Sequence, residues 1–282
     1  MSSENINPLK IKEQKAAYWS RPGAGETYNK NVTAETGVVK IKNIVEGNIV
    51  KKHIRGHILD AGTGSGRFAI ELAMNIENKL VALDCSNEML EICKKNAEIR
   101  NIKNIDYVKG DVENMIFPDN YFDSVVSITV VRHFPQWQSI LKEYSRVLKP
   151  GGKLVFEMCS GNHIQMANKI WSRFGYENGD KSFYNYEAEV TYESLKEYLR
   201  SINIEIIDKY TYDFLNNNCF IKILTVNNLG YRAIIKIINL IFKVRVLARF
   251  MATLELNIFK KLPVCYSYNY MIIATKVIDC EN

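Results

Sequence analysis

One stretch constrains this chain more than any other: Ile58-Leu59-Asp60-Ala61-Gly62-Thr63-Gly64-Ser65-Gly66, running on into Arg67-Phe68-Ala69-Ile70-Glu71-Leu72-Ala73. Ile58 and Leu59 begin a short buried strand. Three glycines at alternate positions then make a loop, and Phe68, Ile70, Leu72 and Ala73 give the following helix a face to pack. A strand, a tight loop and a helix N-terminus aim free backbone N–H groups at one point, where a polar or anionic ligand can sit. Glycine lets backbone approach that ligand with no Cβ in the way. A G-x-G-x-x-G dinucleotide fingerprint counted from Gly62 and Gly64 would need its third glycine where Arg67 stands. The third glycine falls instead at Gly66, and Asp60 precedes the first by two places. On its own, a glycine triplet suits a plain structural turn equally well.

The same grammar repeats along the chain. Lys79 to Asp84 is an apolar run ending in a carboxylate, 18 residues beyond Gly66. In a βαβ unit Asp84 would stand at the strand's C-terminal end beside the loop, where a carboxylate accepts ribose hydroxyls. It could instead cap the helix opening at Asn87, although Ser86 serves that cap better. Ile105 to Val112 reads as a third strand ending in Gly110-Asp111. Ser124 to Val131 reads as a fourth, with Asp123 a structural residue at its start. A helix over about Trp137 to Leu148 is stopped by Pro150 and reversed by Gly151-Gly152 before a strand at Lys153–Phe156. Thr191 opens a capped helix, and strand-like runs follow at Ile204–Ile207 and Tyr268–Ile278. Strand–helix alternation with acids at strand ends makes a doubly wound, mostly parallel α/β sheet the economical fold.

Asp60 with Gly62-Thr63-Gly64-Ser65-Gly66, Asp84, Gly110-Asp111 and Arg146-Val147-Leu148-Lys149-Pro150-Gly151-Gly152 together resemble the class I S-adenosylmethionine-dependent methyltransferases, of the small-molecule, ubiquinone/menaquinone type. The resemblance runs in detail from about Ile58 to Phe156. It implies a Rossmann-like, seven-stranded sheet whose last strand inserts antiparallel between its two predecessors, with helical lid insertions. It implies S-adenosylmethionine as cofactor, the ribose hydroxyls on Asp84, and the adenine on the Asp111 carboxylate and the Val112 N–H. It also gives cofactor contacts to Asp60, Gly62, Thr63, Gly64, Gly66, Cys85, Thr129 and Tyr18. His133, just after the fourth strand, is the candidate general base for an acceptor hydroxyl or ammonium; a loop histidine bonded to backbone is the plain alternative. His163 is a weaker second candidate.

The expected organisation is an N-terminal helical cofactor cap over 1–50 and a core over 51–160. A lid insertion follows over 161–190, rich in aromatics such as Trp171, Phe174 and Tyr184, and the rest of the core over 191–282 carries a basic helical insertion at about 213–266. Tyr18, Trp19 and Tyr28 either fold over the cofactor or serve as ordinary packing residues. The net charge of +6 is local: Leu229 to Leu262 carries seven cations and one anion, 7 − 1 = +6, so the remainder sums to zero. Arg232, Lys236, Asn239 and Lys243 share one face of a helix otherwise made of isoleucine, leucine and phenylalanine. Such a helix can lie on an anionic membrane surface, or pack as a lid or homodimer helix with its lysines reaching outward.

Six cysteines without metal-ligand spacing favour a reducing compartment and argue against a metal site. The polar start Met1-Ser2-Ser3-Glu4-Asn5 lacks an apolar signal core, and no run of about 18 apolar residues exists. A cytoplasmic protein, peripheral at most to the membrane's inner face, is therefore expected. The basic helix is too apolar for a nucleic-acid groove. No Asn/Asp-Pro-Pro-aromatic motif or Pro-Cys nucleophile points to methylation of bases. The resulting expectation is methyl transfer to oxygen or nitrogen of a small or lipid-linked acceptor. A non-catalytic, membrane-associated regulatory or assembly protein of the same fold is the rival from another class.

Overall fold

Runs of Ile, Leu and Val bounded by Gly and Asn pair into one sheet, whose strand order is β3-β2-β1-β4-β5-β7-β6. The computed structural model of the chain describes residues 8–33, 37–173, 188, 190–213 and 228–278. The strands are β1 (His57–Ala61), β2 (Lys79–Asp84), β3 (Ile105–Lys109), β4 (Phe122–Ser127), β5 (Leu148–Cys159), β6 (Ile204–Tyr212) and β7 (Asn269–Lys276). Six run parallel, and β7 lies antiparallel between β5 and β6. The order reverses between β1, which pairs with β2, and β4 on its other side. That reversal opens a crevice beyond the carboxyl ends of the strands, where ligands of open α/β sheets bind. The glycine loop leaves β1 at this point.

Helices cover both faces. α1 (Pro8–Trp19), α2 (Ala24–Val32) and α3 (Gly37–His53) precede the sheet. α4 (Arg67–Ala73), α5 (Asn87–Ile99) and α6 (Trp137–Val147) connect its parallel strands. Beyond β5 come α7 (Gly161–Arg173) and α8 (Tyr192–Ser201), and between β6 and β7 the pair α9 (Asn228–Ile241) and α10 (Arg245–Asn257). Strand side chains alternate between faces. Leu154, Phe156 and Met158 thus face a core shared with α6 and α8, while Val155 points into the opposite core, with α3, α4 and α10. By the same alternation Glu157 lies on the α3 side.

Element ends follow their sequence cues, with two exceptions. Ser86 caps α5, its Oγ accepting from Met89 N, and Thr191 caps α8 through Ser194 N. The fourth strand is shorter than its apolar run suggests: it stops at Ser127, and Val131–His133 is a 3-10 turn. Thr129 breaks it, adopting φ +63, a rare conformation for a β-branched residue. β5 in turn begins earlier than expected, at Leu148, which pairs with Phe122 before an irregularity that includes Gly151 at φ +77; regular pairing with β4 resumes at Lys153. Asp123 has the structural role expected, accepting from His57 N at 2.8 Å and pairing with Lys149 at 2.6 Å.

Residues 174–187 of the 161–190 insertion, with Phe174, Tyr176, Phe183, Tyr184 and Tyr186, lie outside the described residues, as do the side chains of Trp171 and Arg232.

Phe156, fully buried at the centre of the sheet, is the place to test the larger core. Phe156→Ala should lower stability by about 3–5 kcal/mol in urea unfolding. A loss under about 1 kcal/mol would show that Phe156 is not packed in the core as described.

Candidate functional site

The site grows from the hydrogen bonds that shape the loop after β1. Gly62 N and Thr63 N both donate to Leu83 O, at 2.8 and 2.9 Å, which sews the loop to the end of β2. Gly64 N donates to Asp84 Oδ2 at 2.8 Å, and Ser86 N to its Oδ1 at 2.9 Å. Gly62 has φ +78, and a Cβ there would stand 2.4 Å from Val130. At Gly66 (φ +84), the N-cap of α4, a Cβ would meet Cys93 Sγ. Neither position admits a side chain. Between them, Ser65 Oγ is buried with no hydrogen-bond partner among the described residues. A glycine-lined cradle with an unsatisfied hydroxyl fits a polar ligand.

Asp60 is turned into the loop itself. It is 2% exposed, and its Oδ2 accepts from Thr63 Oγ1 at 2.7 Å and Ala69 N at 3.0 Å. It holds the loop against the first turn of α4 and so acts on a ligand through the loop. Burial pushes its pKa up to about 6, against the pull of those two hydrogen bonds.

The remaining sequence candidates gather along the same edge of the sheet. Asp111, just past β3, accepts from Glu113 N and meets the Lys12 ammonium of α1 at 2.6 Å. Val112 is buried and Cys85 is exposed beside Asp84. A cleft of about 210 Å³ opens next to Asp111, between Leu9 and Lys12 of α1 and Phe134–Ser139. A larger one of about 950 Å³, lined by Gly56, Asn78 and Asp123, lies at the opposite, N-terminal ends of the strands. His133 is half-buried in the turn after β4, its N–H donating to Val130 O. His163, just past the end of β5, is buried with its N–H on Ser160 Oγ and its Nδ1 2.9 Å from Cys265 O.

The N-terminal segment folds over the loop. Gly23 N and Gly25 N both donate to Glu88 Oε1 at 3.1 Å, and Ser86 Oγ donates to Trp19 O at 2.9 Å. Tyr18 and Trp19 meet edge-on at 4.8 Å, and Trp19 and Tyr28 at 5.3 Å. The Tyr28 ring comes to rest against Gly64.

Sequence reasoning missed the most heavily charged part of the site. Glu157 on β5 and Glu46 on α3 are both fully buried, and the Tyr212 hydroxyl at the end of β6 stands 2.8 Å from an oxygen of each. Its single proton is shared between two carboxylates. Arg67, the residue after the last loop glycine, pairs with Glu46 and donates to Asn43 at 2.6 Å. Lys42 stands 3.5 Å from both carboxylates. Thr129 Oγ1 donates to Glu157 at 2.8 Å, and Arg132 reaches the same carboxylate at 3.5 Å and Asn269 at 2.7 Å. Burial alone would raise the Glu157 pKa; Lys42 and Arg132, with the Thr129 and Tyr212 hydrogen bonds, hold it well below the ordinary carboxylate range. A carboxylate inside the apolar run Leu154-Val155-Phe156-Glu157-Met158 was the visible signal.

Residues 59–156 match a family described as "Methyltransferase domain". The chain is 32% identical over 146 residues to a demethylmenaquinone methyltransferase of Staphylococcus epidermidis, covering 52% of this chain and 60% of that one. It is 27% identical over 155 residues to a ubiquinone/menaquinone biosynthesis C-methyltransferase UbiE of Francisella tularensis subsp. novicida, covering 55% and 57%. It thus spans about three-fifths of the length of the curated relatives it matches. Among solved structures, magnesium protoporphyrin IX methyltransferase (ChlM) from Synechocystis PCC 6803 with bound SAH superposes with a TM-score of 0.56 at 11% identity, over 94% of this chain and 99% of that one. The [4+2]-cyclase SpnF superposes at 0.54 with 17% identity, over 84% and 81%. These two likenesses carry the fold. Because they include a cyclase, function must be argued from the site.

The raised pKa of Asp60 has a signed consequence. Below about pH 4 the carboxyl is protonated in both folded and unfolded chains, and its share of stability is fully present. As pH rises from about 4 to about 6 the unfolded chain ionises first, and on the order of 3 kcal/mol is lost. Asp60→Asn should flatten that part of the pH dependence relative to the parent, read by urea unfolding between pH 4 and pH 7. An unchanged slope would mean Asp60 ionises as readily in the folded protein as in the unfolded chain.

Proposed function

We propose that this chain, whose residues 59–156 match a methyltransferase-domain family, binds S-adenosylmethionine in the crevice beyond β1 and transfers its methyl group to a small acceptor. The observation that carries the reading is the cradle itself: glycines that exclude side chains, with Asp84 fixed beside them by Gly64 N and Ser86 N. Asp84 would accept the ribose hydroxyls. The Asp111 carboxylate and Val112 N–H would meet the adenine, and Gly62, Thr63, Gly64 and Gly66 would surround the methionine end. Thr129, Cys85 and Tyr18 would complete the contacts, with Asp60 holding the loop in shape. When bound, the cofactor supplies an electrophilic methyl group on a sulfonium, displaced in line.

The protein's part in such a displacement is chiefly to hold the acceptor in position. His133 would take the proton from an acceptor hydroxyl. Oxygen or nitrogen was the acceptor atom read from the sequence. The relatives' printed names, which include a C-methyltransferase, favour a ring carbon of a quinol-type acceptor. Removing the proton of a ring hydroxyl raises the nucleophilicity of its oxygen and of the carbons ortho to it, so His133 serves either atom. A lipid tail on such an acceptor would bring the chain to a membrane surface, the occupant favoured here over a second copy for residues 229–262.

Calorimetric titration should show micromolar binding of S-adenosylmethionine and no heat with NADH. Asp84→Ala should weaken the former by about tenfold or more, on the order of 1.4 kcal/mol. Unchanged affinity would remove Asp84 from the site, and absence of binding by the parent would remove the methyltransferase reading.

His133→Ala should leave that affinity within about twofold while lowering kcat on a hydroxylated aromatic acceptor by about a hundredfold. An equal kcat would leave His133 a structural loop residue.

A further inference from the structure

The helix pair between β6 and β7 is turned the opposite way from an ordinary surface hairpin. In α9 the polar Asn239 points inward, its Oδ1 accepting from Val38 N at 3.0 Å where α3 begins. A helix advances about 100° per residue, so fixing Asn239 inward sends Ile237 and Ile241 outward, with Leu240 on the flank and Lys236 on the side nearer Asn239. All four are exposed. In α10 the residues at i, i+3, i+4 and i+7, namely Ala248, Met251, Ala252 and Glu255, are buried. Val246 and Phe250 therefore stand out from the surface, 73% and 61% exposed. Val244 and Leu247 join them around the tip. The result is a patch of large aliphatic and aromatic side chains at residues 240–250, of the kind that marks an interaction site.

The charges around that patch have one sign. Lys236, Lys243 and Arg249 are exposed beside it, and residues 240–250 contain no Asp or Glu. The single anion between Leu229 and Leu262, Glu255, is buried and accepts from Asp213 N at 3.0 Å. Among the described residues no helix is long and apolar enough to cross a membrane.

We infer that the tip of the α9–α10 hairpin is a docking surface for an anionic phospholipid membrane, lying in the interface with Val246, Phe250 and their aliphatic neighbours inserted and Lys236, Lys243 and Arg249 on the headgroups. An apolar face flanked by cations is the arrangement that binds such a surface. A second copy of the chain fits it less well, because a two-fold contact through this patch would set Lys243 and Arg249 against their own counterparts. The inference deepens the proposed function by naming the surface that presents the site to a lipid-tailed acceptor. Its test reads lipid binding alone.

The full chain should sediment with phosphatidylcholine vesicles that contain phosphatidylglycerol, not with phosphatidylcholine alone, and less as salt rises. The double variant Lys243→Glu/Arg249→Glu should reduce binding by on the order of tenfold. Val246→Ser/Phe250→Ser, which leaves the charge unchanged, should also reduce it; both sets lie on exposed positions, and circular dichroism checks folding. No sedimentation with the anionic vesicles, or parental binding by both variants, would overturn the inference. So would a dimer in analytical ultracentrifugation that either variant dissolves. Calorimetry with S-adenosylmethionine on the same samples separates the two readings: lost vesicle binding with intact cofactor binding sinks only the membrane surface, and the converse sinks only the methyltransferase reading.

Discussion

The interaction on which the rest depends is the buried contact of the Tyr212 hydroxyl with Glu46 and Glu157. Its three residues come from β6, α3 and β5, and Arg67 adds the start of α4. Removing one partner of a buried ionic network leaves an uncompensated charge, a cost of several kcal/mol. The cluster therefore fixes the separation between the N-terminal helix, the glycine loop and the late strands. Thr129 shows the consequence locally. Its left-handed backbone is held by the hydroxyl's bond to Glu157, and this ends β4 and begins the turn that carries Arg132 and His133.

Strain and desolvation are concentrated at one edge of the sheet for the same reason. The glycines exclude side chains, Asp60 is buried as a carboxyl with a raised pKa, and Glu157 is held ionised by two nearby cations. Two buried carboxylates with pKa values driven apart by their surroundings are a mark of a functional site. The opposite edge, where the 950 Å³ cleft lies, has ordinary surface pairs such as Lys51–Glu71. Volume alone would pick the end of the sheet away from the glycine loop.

Much of this was legible in the sequence wherever the signal was local. Short apolar runs, several ended by acids, marked the strands, the glycine spacing marked the loop, and Ser86 outcompeted Asp84 for the cap because its hydroxyl reaches Met89 N. Asp84 was thereby left to meet Gly64. What was not legible was set by tertiary contact. The Val130-Val131 continuation read as strand because its propensity is high, yet Thr129, bonded to Glu157, breaks the run. The position of Asp60 two residues before Gly62 shows where it falls in the chain and not which way its carboxylate turns, here onto Thr63 and Ala69. Glu46 and Tyr212 are separated by 166 residues, and no window-based pattern joins them.

The helix α3 links the two halves of the functional argument. One face sends Lys42 and Glu46 into the buried cluster beside the loop, and its N-terminus receives Asn239 of α9 through Val38 N. Asn239 is the residue that sets α9 apolar side outward. If its side chain met solvent, as the cationic stripe in the sequence suggests, Ile237 and Ile241 would turn inward and the exposed patch would shrink to Val244, Val246, Leu247 and Phe250 around the tip. One hydrogen bond to the first turn of α3 thus orients the isoleucine-rich helix, with Phe242 beyond its end packed on the core and Ile237 and Ile241 in solvent. The inward turn of Asn239 adds those two side chains to the apolar tip, against the same helix that supplies the site with its buried charges.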